Sequence, residues 1–132
     1  MLSMLSVKEM RKRKSEFDEV WIICRKVKYL YKGERLVSEL SPSEKLLNDY
    51  LNCKYHGMWN KEAFEGWYSK KFRKEMENQE SKKFLNLLFY LVYRMNKNIC
   101  ICCFCNDESM CHRSIIFQMI NEAIEKAKKK LA

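Results

Sequence analysis

Two short apolar runs constrain the fold of this chain more than any other feature. Val20-Trp21-Ile22-Ile23-Cys24 and the stretch Asn98–Phe104 are rich in β-branched residues and cysteine and too short for buried helices. Such runs read as strands buried on both faces, as in a parallel sheet. In the second run, Cys100, Cys102 and Phe104 fall on one face and Ile101, Cys103 and Cys105 on the other. Parallel strands need long crossovers, and the rest of the chain supplies helical patterns. Ser6-Val7-Lys8-Glu9 is a capping box that opens a helix to about Phe17. Ser41 is read as a second cap, with Pro42 at the first helical position, Glu44 closing the box and a helix to about Asn52. Asn60 caps a helix over about Lys61–Asn78, with Phe64, Trp67, Tyr68, Phe72 and Met76 as its stripe. Ser81 opens a helix over about Lys82–Met95, apolar nearly all round and therefore placed centrally. The last helix starts near Cys111–Ser114 and runs to about Lys130. From Arg25 to Leu40 the pattern is weak, with Tyr29-Leu30-Tyr31 as a short extended piece and a turn at Gly33. The expected architecture is one α/β domain over 1–132, a small, mainly parallel sheet flanked by helices. A basic helix or arm at 1–14 and a basic tail at 126–132 complete it.

Composition removes several function classes. There are three glycines and none after Gly66, so a Rossmann glycine fingerprint and a Walker A loop are both impossible. No window is long and apolar enough for a transmembrane helix, and the N-terminus has no signal-type apolar region. The expectation is a cytoplasmic chain with no membrane partner. The formal charge is +9, concentrated at the ends. Lys8, Arg11, Lys12, Arg13 and Lys14 stand against Glu9 alone in the first fourteen residues. Basic ends meet nucleic-acid or nucleotide phosphates, or else form solvated helix faces.

Five of the seven cysteines fall between Cys100 and Cys111. In an intracellular chain such clustering indicates metal or redox chemistry before disulfides. Ligands of parallel sheets bind beyond the carboxyl ends of the strands. Two reactive segments meet there, Cys24-Arg25 after the first run and Cys103 to Arg113 after the second. A helix start at Cys111-His112-Arg113 favours a thiolate or a bound anion. Asp107 and Glu108 are placed to orient His112 or Arg113. Three chemistries fit. One is a metal site, zinc in particular, with Cys103, Cys105, Cys111 and His112 as ligands. The second is a thiol enzyme with Cys111 or Cys105 as nucleophile and His112 as its partner. The third is an anion pocket formed by Arg113, Arg25, Ser114 and backbone amides. A disulfide between neighbours such as Cys24 and Cys103 is a structural alternative. Cys100 and Cys102 read as packing residues, Cys53 as incidental and His56 as a surface residue. The phosphatase spacing C-x5-R is not met from Cys103 or Cys105.

The stretch Cys103-Phe104-Cys105-Asn106-Asp107-Glu108-Ser109-Met110-Cys111-His112-Arg113 resembles the C-x-E…C-H-R signature of domain-of-unknown-function family 488. Leu40-Ser41-Pro42-Ser43, Trp59, Phe64, Tyr68 and Glu75-Met76 are similar to that family's L-x-P-S…W…F…Y…E-L run. The resemblance covers roughly Val20 to Asn121. It implies a Rossmann-like fold and a site location, without a defined reaction. Cys105 stands where the family usually has glutamate. The exchange adds a soft ligand, and any carboxylate role is either lost or moved to Asp107 or Glu108.

Overall fold

In the computed structural model, which describes residues 1–105 and 107–131, four strands form one all-parallel sheet in the order β1-β4-β2-β3. They are β1 (Leu2–Ser6), β2 (Glu19–Ile22), β3 (Glu34–Leu36) and β4 (Ile99–Cys103). The helices are α1 (Val7–Lys12), α2 (Glu44–Tyr55), α3 (Lys61–Ala63), α4 (Ser69–Glu75), α5 (Gln79–Phe89) and α6 (His112–Leu131). Asn106, Ala132 and the side chain of Glu108 lie outside the described residues. The expected α/β class, with a small parallel sheet flanked by helices, is the fold observed. No helix among the described residues is long and apolar enough to cross a membrane.

Strand β4 is the axis of the sheet. All five of its residues are buried, and it pairs with β1 on one side and β2 on the other. Its side chains alternate as the sequence pattern requires. Ile99 and Ile101 join Trp21, Phe72, Leu88, Ile115 and Ile116 in the larger core under α2 to α6. Cys100 and Cys102 join Val7, Met10, Val20 and Ile22 in the smaller core under α1. These two cysteines therefore pack as small hydrophobes.

Two strands escape the sequence pattern. β1 contains two serines among its five residues and is defined by its register, Leu2 opposite Ile99 through Ser6 opposite Cys103. β3 is only Glu34-Arg35-Leu36, whereas Tyr29, Leu30 and Tyr31, the expected extended piece, are exposed and unpaired in the sheet. Gly33 precedes β3 with φ +83, the left-handed conformation that its turn needs.

Helix boundaries shift for reasons of capping. α1 stops at Lys12, and a 3-10 turn at Lys14–Glu16 brings the chain down to β2. Ser43, not Ser41, caps α2, accepting from the Leu46 amide at 3.1 Å. Its own amide and hydroxyl donate to the Glu75 carboxylate, which ties α2 to the end of α4. Ser41 instead donates to the Ser38 carbonyl. The run from 61 to 75 is continuous through a π-helical stretch at Phe64–Tyr68. Asn78 then caps α5 through the Ser81 amide (2.9 Å), so that helix starts earlier than Ser81 suggested. Leu88 and Val92 are buried but Tyr90 and Met95 are exposed, so this segment covers the sheet on one face rather than lying centrally.

Glu34 ties the sheet edge to α1. Its fully buried carboxylate accepts from Arg11 Nε (3.0 Å) and Nη2 (2.9 Å), from Lys14 Nζ (2.8 Å) and from the Tyr31 amide (3.1 Å). Burial alone would raise its pKa. The two cations and the amide overcome that and lower it from 4.5 to about 2. A depressed carboxylate contributes stability above its unfolded pKa, and the contribution is lost as pH falls toward the folded value. Glu34→Gln should lower stability to urea by roughly 2 kcal/mol at pH 7. The gap to wild type should close between about pH 4.5 and pH 2. A gap that does not change across that range would contradict this assignment.

Candidate functional site

The carboxyl ends of β2 and β4 lie side by side at the same sheet edge, because the two strands are parallel and adjacent. Beyond β2 the chain continues as Ile23-Cys24, with the Ile23 amide donating to the Cys102 carbonyl at 2.9 Å. Beyond β4 it turns through a 3-10 turn at Glu108–Met110 and enters α6. Cys103, Cys111 and His112 meet there. Their ligand atoms all lie within 4.8 Å of one another, and all three residues are buried. Cys103 Sγ is 3.0 Å from Cys111 Sγ, and Cys111 Sγ is 3.5 Å from His112 Nδ1.

The tautomer of His112 follows from its other contact. Nε2 lies 2.6 Å from the Ile23 carbonyl oxygen, which can only accept. Nε2 therefore carries the proton and Nδ1 presents its lone pair to the sulfurs. Burial, the largest influence, holds the ring pKa below its ordinary 6.5, so the imidazole is neutral. Among the thiols, Cys103 is the one whose surroundings favour the thiolate form. Hydrogen bonds from Cys105, Cys111 and Cys24 draw its pKa far down. The pKa values of Cys111 and Cys24 rise, mainly because each sits beside Cys103, and Cys105 moves up for the same reason.

Arg113 is 1 % exposed, and its Nη2 donates to the Cys105 carbonyl at 2.9 Å. Its Nε and Nη1 have no hydrogen-bond partner among the described residues. A guanidinium this buried makes the ground beneath the loop electropositive. In front of the sulfurs is a cavity of about 590 Å³. Cys24, Cys103, Cys105, Cys111 and His112 line it together with Tyr50, Tyr68 and the exposed Arg25, Lys26 and Glu44. Arg25 reaches Glu44 at 3.8 Å.

Other expected residues have different partners. Asp107 accepts from the Ser109 amide (3.0 Å) and hydroxyl (2.6 Å), so it caps the turn and does not orient His112. Ser114 donates its hydroxyl to the Cys111 carbonyl at 2.7 Å. Cys53 and His56 lie on α2 and at its end, away from the cluster, and His56 is exposed. In the N-terminal basic segment, Arg11 and Lys14 are committed to Glu34, Arg13 pairs with Glu16 at 2.9 Å and Lys12 with Glu9 at 3.4 Å. Lys8 is exposed and has no ion pair among the described residues. Tyr68, read from the sequence as part of a helix stripe and of the family run, is a cavity wall, and so is Tyr50. The Ile23 carbonyl was invisible to sequence reasoning, since any residue carries one.

Residues 4–124 match the family model described as the Active DUF488-N3 subclade, DUF488-N3a. The chain belongs to the DUF488 family. No curated protein and no solved structure matches it. The match begins within β1 and ends within α6, so β2, β3, β4 and the Cys/His cluster of this DUF488 chain fall inside it.

The tautomer is directly measurable. Nitrogen-15 NMR of the reduced, metal-free protein should show His112 protonated at Nε2 and bare at Nδ1. The ring should remain neutral as the pH is lowered through 6.5. A proton on Nδ1, or an imidazolium at pH 7, would contradict the geometry.

Proposed function

We propose that this DUF488 chain holds a metal ion, zinc in the first instance, through Cys103, Cys111 and His112. The observation that carries the reading is the bond from His112 Nε2–H to the Ile23 carbonyl, which turns the Nδ1 lone pair toward two sulfurs. Metal-bound histidines use just such a second contact to fix their ring. Two thiols and one imidazole are a donor set that suits zinc. Across a tetrahedral zinc the sulfurs sit roughly 3.8 Å apart, given bonds of about 2.3 Å. The observed 3.0 Å therefore asks them to separate slightly, and the 3.5 Å sulfur–nitrogen distance needs little change. Cys105 and Cys24, both partly exposed beside Cys103, supply further thiols on the cavity side.

The cavity distinguishes this arrangement from a closed structural site. Three protein donors beneath an open space match the pattern of sites that keep a coordination position free. A bound zinc would supply a Lewis-acid centre at the cavity floor. The chain's own residues then bind and orient. Arg25 and Lys26 meet an anionic group such as a phosphate, while Tyr50 and Tyr68 wall the apolar part. The matched subclade is described as active, which supports a reacting centre. Contact with nucleic-acid phosphates through the basic N-terminal segment is a narrower proposal. It rests on Lys8 and the exposed Lys12 and Arg13, because Arg11 and Lys14 serve Glu34.

A thiol-dependent reaction is the second reading, favoured by the 3.5 Å contact between Cys111 Sγ and His112 Nδ1. Here Cys111 is the thiol placed to give its proton to His112 Nδ1, with Cys103 beside it. Elemental analysis separates the two readings. Protein purified without added metal should carry one zinc per chain. Cys103→Ser and Cys111→Ser should each remove most of it, and Cys53→Ser should leave it in place. Metal-free protein with one cysteine alkylated by iodoacetamide far faster than the rest would favour the thiol reading instead.

A further inference from the structure

All seven cysteines are free thiols. The sequence suggested Cys24 and Cys103 as the pair to be bridged. The pair that the fold brings to 3.0 Å is Cys103 and Cys111. A disulfide bond is about 2.05 Å, so closure requires the sulfurs to approach by only about one ångström. The two residues come from segments of different character, the end of β4 and the turn entering α6. Both are nearly inaccessible from bulk solvent, at 2 % and 3 % exposure, yet both line the cavity. A molecule the size of a peroxide reaches them through that opening.

We infer that Cys103 and Cys111 are a reversible disulfide couple, a modification site for a hydroperoxide that enters the cavity. The chemistry balances with hydrogen peroxide as oxidant. One thiolate attacks an oxygen of the peroxide, forming a sulfenic acid and releasing hydroxide, which takes up that thiol's proton to become water. The second sulfur attacks the sulfenic sulfur, and the hydroxyl leaves with the second proton as another water. Two thiols lose two electrons, and one peroxide becomes two waters. A dithiol reductant reverses the reaction by thiol–disulfide exchange. The bridge occupies both sulfurs that the metal reading assigns as ligands, so oxidation and metal retention exclude each other. The couple itself rests on the sulfur–sulfur distance and needs no metal.

The test uses the full chain, reduced, treated with chelator and exposed to a small excess of hydrogen peroxide. The expected product has lost the mass of two hydrogens, and dithiothreitol restores it. Cleavage after Glu108 separates Cys111 from Cys100, Cys102, Cys103 and Cys105. The two fragments should stay joined until reduced. Cys105→Ser and Cys24→Ser should still form the bridge, and Cys103→Ser should not. Fragments that separate without reductant, a bridge that persists in Cys103→Ser, or oxygen addition in place of hydrogen loss would overturn the inference. Failure of the metal reading would instead appear as absent zinc with the bridge still forming.

Discussion

Strand β4 is hydrogen-bonded on both edges by parallel neighbours and buried on both faces, and the rest of the molecule depends on that placement. Burial on both faces demands an apolar side chain at every position, which Ile and Cys satisfy. Parallel pairing with β2 puts both carboxyl ends at one edge. The strand can only be left by turning back over the sheet, and that turn becomes the start of α6. Cys24, Cys103, Cys111 and His112 thus converge, although 87 positions separate Cys24 from Cys111 in the sequence. The His112 bond to the Ile23 carbonyl joins the two strand ends through a side chain.

Electrostatics follow from the same convergence. His112 is buried with the sulfurs, which lowers its pKa and favours the neutral imidazole, while hydrogen bonds from Cys105, Cys111 and Cys24 lower the pKa of Cys103. Burial penalises any charge that lacks compensation. The nearby Arg113, buried and linked to the Cys105 carbonyl, provides positive potential on the loop side. A soft divalent cation is the complement that such a donor set prefers. Charge at the N-terminal end is handled differently. There Glu34 gathers Arg11 and Lys14, so part of the chain's positive excess serves to fasten a sheet edge.

Much of this was legible in the sequence. The two apolar runs disclosed the central strands, and their period-two alternation separated the packing residues Cys100 and Cys102 from Cys103. The clustering of Cys103, Cys105, Cys111 and His112 pointed to a candidate site at the strand edge, where the structure brings Cys103, Cys111 and His112 together. The rest depended on partners that are distant in sequence. β1 is a strand because Ser3 and Ser6 face the register of β4, and β3 because Glu34 finds cations on α1 and on the 3-10 turn that follows it. The choice of Ser43 over Ser41 as the cap depends on Glu75, thirty-two residues away. Asp107 looked available to His112 by proximity along the chain, yet the hydroxyl two residues on claims it. The Ile23 carbonyl, which sets the histidine tautomer, has no sequence signal at all.

Cobalt titration of the reduced protein tests the convergence of Cys103, Cys111 and His112 most directly. Cobalt(II) reports its own coordination, because tetrahedral sites absorb strongly in the visible and thiolate ligands add charge-transfer bands in the near ultraviolet. We expect both features to grow together and saturate at one equivalent of cobalt per chain, with zinc abolishing them. A weak octahedral spectrum without thiolate bands at one equivalent would contradict a metal centre built on these three residues.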